Sequence, residues 1–317
     1  MKILFCTLTL SPYNSLQATQ RGYPLADERK PVWDWLAQHE FDGIDLGETW
    51  FNFYDAPDDA LVELGDEIRN HGLEIGGLTV LRKIITWPAP DEVRQTNQKL
   101  LSRAVKAAQL CGAPLVNMSI SPQPWEVGVL EKDLRGNHNP VGSSMRARDE
   151  DYEEAASVLR SLAQEAETSG IELTLELHQN SIVDTPEGML RLIDMVNHPL
   201  IKANPDLGNF YFAYATPNGS WENVCQQLSP YTNFWHVKNI QRVYFQDEDR
   251  AQHINAPLGE GMIDYRRALQ LMSSGGFDGY ISIELATGAD PFNAILSGKK
   301  YISDLIQNNI PFSNHIL

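Results

Sequence analysis

Basic residues, cysteines and long apolar runs are all scarce in this 317-residue chain. Lysine and arginine total 25 against 42 aspartate and glutamate, a formal charge of −17. A field of that sign repels nucleic-acid phosphates and anionic membranes, so neither is expected as a partner. The 3 cysteines, Cys6, Cys111 and Cys225, are odd in number and stand in no metal-ligand spacing. That excludes a disulfide scaffold or a zinc knuckle and makes a reducing cytoplasm the expected setting. No uninterrupted apolar run approaches the ~20 residues that span a bilayer. The stretch Ile3–Leu10 is largely apolar, but Ser11-Pro12-Tyr13-Asn14 offers no small-residue cleavage site, so a first buried strand is expected there rather than a signal segment. A Gly-rich dinucleotide fingerprint after that strand and a phosphate loop ending in Gly-Lys-Ser/Thr are missing too, which argues against nucleotide cofactors.

What is present is an alternation. Strand-like apolar runs at Lys2–Leu8, Asp42–Gly47, Glu74–Val80, Pro114–Ile120, Glu172–His178, Ile201–Asn204, Asn233–Val237 and Gly279–Leu285 are separated by segments of helical period, such as Asp58–Asn70, Asp91–Cys111, Glu150–Thr168 and Asp264–Ser273. Several of these end at a glycine (Gly72, Gly112, Gly170, Gly275-Gly276), where a left-handed cap precedes the next strand. Eight such units predict an α/β fold of one domain over residues 1–317, a single (β/α)8 TIM barrel, more readily than an open doubly wound sheet. Two connections are longer than a barrel needs, 121–148 after the fourth strand and 239–263 after the seventh. Both follow strand C-termini, where barrel chemistry is housed, and both are candidate lids. Trp125 and His138 in the first could cover a ligand or simply pack on the barrel.

The fifth run, Ile171-Glu-Leu-Thr-Leu-Glu-Leu-His178, carries the clearest chemical signal. Side chains alternate along a strand, so Glu172, Thr174, Glu176 and His178 share the inward face and the leucines face the helices. A buried carboxylate at Glu176 needs a cation. The pattern recurs: Glu284 is inward on the eighth run, His236 and Lys238 share a face of the seventh, and Asp206 sits in the turn Asn204-Pro-Asp-Leu-Gly-Asn209 after the sixth. Each alone is as readily an ion-pair partner or a core histidine. Together, one per βα unit, three carboxylates and an imidazole suit a divalent ion in an open octahedral site. Manganese is the expected ion, with magnesium, cobalt and zinc as alternatives. Asp45, inward at the end of the second run, is a further candidate substrate contact. Gly259-Glu-Gly261 before Asp264 reads as a turn feeding a capped helix.

Thr174-Leu-Glu-Leu-His178, Asn204-Pro-Asp-Leu-Gly-Asn209, Trp235-His-Val-Lys-Asn239, Leu258-Gly-Glu-Gly-Met-Ile-Asp264 and Gly279-Tyr-Ile-Ser-Ile-Glu284 resemble the sugar phosphate isomerase/epimerase-like, xylose-isomerase-like barrel superfamily. The resemblance covers most of the chain and is sharpest from residue 171 to 285. It implies metal ligation by Glu176, Asp206, His236 and Glu284, with Glu176 and Glu284 also moving protons, and a substrate contact at Arg242. The position three after the metal aspartate, often histidine in the ketose epimerases, is Asn209 here, so contacts to substrate depart from that pattern. His178, Asn209 and Lys238 are further substrate-contact candidates, with an orienting role open for His178. The endonuclease branch of the same barrel uses extra histidines after strands three and four. Here those strands end in Gly77-Leu-Thr-Val80 and Asn117-Met-Ser-Ile120.

The resemblance and the paired glutamates together imply a metal-dependent sugar isomerase or epimerase that removes a proton next to a carbonyl through a metal-stabilised enediolate. The alternative is a lyase or dehydratase of a keto-sugar or 3-oxo-glycoside, including C-glycoside cleavage with a small partner subunit. A homo-oligomer is equally compatible, and a non-catalytic sugar-binding barrel is the reading from a different class.

Overall fold

The computed structural model describes the chain except for residues 82–83, 87–88, 122–129, 133–137, 141–143, 145–146, 212–218, 246–249, 285–289 and 309–317. Eight parallel strands form its centre: β1 (Lys2–Cys6), β2 (Gly43–Gly47), β3 (Glu74–Thr79), β4 (Leu115–Ser119), β5 (Glu172–Glu176), β6 (Ile201–Asn204), β7 (Phe234–Val237) and β8 (Tyr280–Ile283). They pair in the order β6-β5-β4-β3-β2-β1-β8-β7. A lone bridge from Ala203 to Thr232 joins the two ends, so the barrel is nearly closed. All eight expected runs are strands, most trimmed at one or both ends.

Helices occupy the connections. Asp58–Asn70 and Asp91–Cys111 form helices over the expected residues, and the two other expected segments appear as Asp149–Glu167 and Tyr265–Ser274. Asp264 caps the last of these by accepting from the backbone N–H of Arg266 and Arg267, which satisfies donors that a helix start leaves orphaned. At the other end of that helix the left-handed residue is Gly276, at φ 96°, while Gly275 keeps a negative φ. Outward strand residues such as Phe5, Ile44, Val116, Leu173, Trp235 and Ile281 are buried against the helices, as expected for a parallel sheet covered on its outer face. Phe5 packs edge-on to Trp35 and Phe41, tying β1 to Ala26–Gln38.

Inside the barrel the lower end is apolar. Leu4, Leu115 and Phe234 form a plug with Tyr280 packed against it. Glycine makes room for it: β3 carries one residue more than β2 between its pairings with Ile44 and Asp45, and a Cβ at Gly76 would lie 2.3 Å from Leu4 Cδ1. This bulge re-aims the strand end above it. The long connection after β7 begins as an antiparallel ribbon, Asn239–Phe245 against Arg250–Ala256. In the connection after β4, Leu130–Lys132 pairs with His138–Pro140, while Trp125 and the side chain of His138 lie outside the described residues.

Candidate metal centre

Above the plug the interior turns polar. Glu176 ends β5, Asp206 follows β6, His236 lies on β7 and Glu284 follows β8. Each offers one ligand atom, and the four atoms lie within 4.8 Å of one another. His236 Nδ1 is 3.6 Å from Glu176 Oε2 and 3.4 Å from Glu284 Oε2. Asp206 and His236 are buried, and Glu176 and Glu284 keep 11% and 15% of their side chains open to solvent. The cluster is therefore reached from one side, the C-terminal mouth of the barrel.

The local chain explains these positions. Asp206 stands at the head of the short helix Leu207–Tyr211, where its Oδ1 accepts from the Asn209 N–H at 3.1 Å. The Trp235 indole donates to the Pro205 carbonyl at 3.1 Å and fixes the turn to β7. Asn209 turns inward and donates its amide to Glu176 Oε1 at 2.6 Å, while Asn117 on β4 donates to Glu176 Oε2 at 3.1 Å. Two amides thus hold the plane of that carboxyl. Lys238 reaches 2.8 Å from Asp206 Oδ2 and 2.9 Å from Glu284 Oε2. Its stem passes over Gly208, where a Cβ would lie 2.5 Å from Lys238 Cγ, so only glycine lets the lysine lie there.

Electrostatics reflect an excess of negative charge. Burial drives the Asp206 carboxyl up to about 7, against the pull of Lys238 and with the help of Glu284 and Glu176. Burial pushes Glu284 the same way, but Lys238 and His236 outweigh it and hold that carboxyl well below the usual range. Burial disfavours charge on His236 and on Lys238. The Asp45 hydrogen bond, Glu284 and Glu176 nevertheless raise the imidazole well above its ordinary value, and Asp206, Glu284 and Glu176 raise the lysine. Asp206, His236 and Lys238 thus favour their protonated forms among the surrounding acids, and a divalent ion would supply the same compensation.

The residues fit such an ion. His236 Nδ1 is buried, faces the carboxylates and has no hydrogen-bond partner among the described residues, a state that an imidazole nitrogen pays for unless a ligand meets it. The donor set of carboxylate oxygens with one nitrogen matches an octahedral divalent metal.

Other residues singled out in the sequence fall at different depths. His178 is half-buried just past β5, with Nδ1 3.2 Å from the Gln179 carbonyl. Arg242 lies on the ribbon, opposite His253 and near Tyr211 at the end of the Asn209 helix. It belongs to the rim rather than to the four-residue cluster. Asp45 is not a substrate contact: it is fully buried, and its carboxylate accepts from Thr79 Oγ1 at 2.6 Å, Ser282 Oγ at 2.8 Å and His236 Nε2 at 2.9 Å. Thr79, Asn117, Asn204 and Ser282 were not singled out in the sequence, although each has the inward parity of its strand.

Residues 33–305 match the family described as xylose isomerase-like TIM barrel. An inosose dehydratase of Yersinia enterocolitica is 23% identical over 169 residues, covering 49% of this chain and 56% of that protein. The chain thus spans about half the length of this curated relative. Among solved structures, a xylose isomerase-like TIM barrel protein from Mycobacterium smegmatis in complex with magnesium superposes with a TM-score of 0.72 at 22% identity, over 91% of both chains. An L-ribulose 3-epimerase superposes with a TM-score of 0.70 at 12% identity, over 100% of this chain and 99% of that one. At these identities the structures speak for the fold, and no helix among the described residues is long and apolar enough to cross a membrane. With more than four-fifths of its length inside the family match, the chain belongs to the xylose isomerase-like TIM barrel family.

Proposed function

We propose that the protein is a divalent-metal-dependent enzyme that shifts a proton on a carbon beside the carbonyl of a monosaccharide or related polyol, as an isomerase or epimerase. The observation that carries this reading is the pair Glu176 and Glu284, two carboxylates that approach His236 Nδ1 to 3.6 and 3.4 Å. A divalent ion held by Glu176, Asp206, His236 and Glu284 would draw electrons from a neighbouring carbonyl and hydroxyl and so acidify the C–H beside them. Manganese suits this donor set best. Glu176 and Glu284 exchange the proton, one removing it and the other returning one. Asn117 and Asn209 keep Glu176 in one orientation through that exchange. Lys238 balances Asp206 and Glu284 and, with His178 and Arg242, provides donors for substrate hydroxyls.

Elimination is the second reading, favoured by the match to an inosose dehydratase. The same carboxylates would remove the proton and protonate a departing β-hydroxyl or glycosidic oxygen. Incubating sugars or inososes in deuterated solvent separates the two. Deuterium in a recovered sugar that keeps all its substituents supports epimerisation, and an unsaturated product supports elimination. Glu176→Gln and Glu284→Gln should each abolish turnover while the fold persists; full activity in either variant would refute the assignment.

A further inference from the structure

We propose that Asp45 is a positioning residue that fixes the His236 ring, with the proton on Nε2 and the Nδ1 lone pair aimed at the ion site. This rests on the metal-centre reading and adds to it which nitrogen binds and what aims it. Asp45 lies on β2 at the bulge opposite Gly77, fully buried and out of reach of any substrate. A carboxylate taken out of water must have its lone pairs occupied. Here Oδ1 accepts from Thr79 Oγ1 at 2.6 Å, and Oδ2 accepts from Ser282 Oγ at 2.8 Å and from His236 Nε2 at 2.9 Å. The backbone is pinned as well, since Thr7 Oγ1 donates to the Asp45 carbonyl at 3.0 Å and accepts from the Gly47 N–H at 2.8 Å.

An ionised carboxylate only accepts, so the ring nitrogen facing it must be the one that carries hydrogen. That leaves Nδ1, the nitrogen turned to Glu176 and Glu284, as the one that gives its lone pair when an ion takes the place of a proton there. The same histidine is held from its main chain: its N–H donates to Asn204 Oδ1 at 2.8 Å, Asn204 Nδ2 to Asn117 Oδ1 at 3.2 Å, and Asn117 Nδ2 to Glu176 Oε2 at 3.1 Å. Asn117 Nδ2 also lies 3.4 Å from Thr79 Oγ1, which closes the circuit back to Asp45. Two proposed ligands, Glu176 and His236, are thereby oriented by one hydrogen-bonded ring beneath them. A carboxylate on the far nitrogen also strengthens the near one as a donor.

The test uses the full-length protein. Calorimetric titration of Mn²⁺ into wild type and Asp45→Asn should give binding weaker by about 10–100-fold in the variant, with an unchanged far-UV circular dichroism spectrum. Ser282→Ala, which leaves the Asp45–His236 bond in place, should lose less. Long-range proton–nitrogen spectra of ¹⁵N-histidine-labelled, zinc-loaded wild type should put zinc on Nδ1 and a far-downfield proton on Nε2, and that proton should move upfield in Asp45→Asn. Zinc on Nε2 in the wild type overturns the proposal, and this readout does not depend on the variant folding. Equal Mn²⁺ affinity in wild type and Asp45→Asn overturns it too. A wild type that binds no ion at all instead overturns the metal-centre reading on which it stands.

Discussion

The two halves of the barrel do different work at the mouth. β5 to β8 and the turns that follow them contribute every residue of the four-membered cluster, whereas β2 to β4 contribute Asp45, Thr79 and Asn117, which touch the cluster only through hydrogen bonds. The β5–β8 half presents charge to whatever enters, and the β2–β4 half only aims that charge, together with Asn204, Asn209 and Ser282 of the first half. Of the four cluster residues solvent reaches the two glutamates, while Asp206 and His236 are buried. Glu176 and Glu284 keep an opening to solvent, while Asp45, Thr79 and Asn117 are sealed. A sealed polar group is stable only inside a satisfied network.

Substitutions that respect this division should have graded effects. The largest loss is expected in the charged half: Asp206→Asn, which would take away one ligand of the ion, should lower kcat by ~10²–10³-fold, in the range for losing one preorganised electrostatic group, measured beside unchanged circular dichroism. An effect no larger than that of the supporting residues would erase the distinction. Asn117→Ala, in the other half, frees one oxygen of Glu176 and strands the Asn204 amide. It should cost about 10–100-fold in ion affinity or activity and about 1–3 kcal/mol of stability.

The charged half was legible in the sequence because its residues break an apolar period. Glu176 and Glu284 interrupt leucine and isoleucine runs at strand ends, and an acid or imidazole there has few structural reasons to exist. The supporting half gave a fainter signal. Thr79 and Asn117 in that half, like Ser282 on β8, are ordinary polar residues whose inward parity is visible, but their partners lie on other strands, as Asp45 and His236 do at a sequence separation of 191. Parity tells which face a side chain takes; it does not tell whom it meets, and so Asp45 read as a substrate contact. The ribbon at Asn239–Ala256 was visible only as excess length after β7.

Two smaller effects sharpen the contrast by leaving the cluster alone. Leu115→Ala, in the apolar plug below it, should cost ~2–5 kcal/mol in denaturant unfolding while the affinity of the folded protein for Mn²⁺ stays put. A matching fall in affinity would show that plug and centre are not independent layers. Asp184 is a buried carboxyl beyond β5. Burial lifts it to about 6, against the opposing pull of hydrogen bonds from the Ser144 backbone and hydroxyl. Because its folded value is raised above the unfolded 3.8, the folded state holds the proton longer, and this group's contribution to stability falls as pH rises from about 4 to 6. Asp184→Asn should remove that fall. The variant should gain on the wild type by up to about 3 kcal/mol across that window and by no more above it, measured by urea unfolding at a series of pH values.

The most direct test of the metal centre is anomalous diffraction at the manganese edge from crystals of the protein grown with Mn²⁺. A single peak bonded to Glu176, Asp206, His236 Nδ1 and Glu284 is the predicted result. A barrel mouth without a peak, or a peak held by other residues, would contradict it.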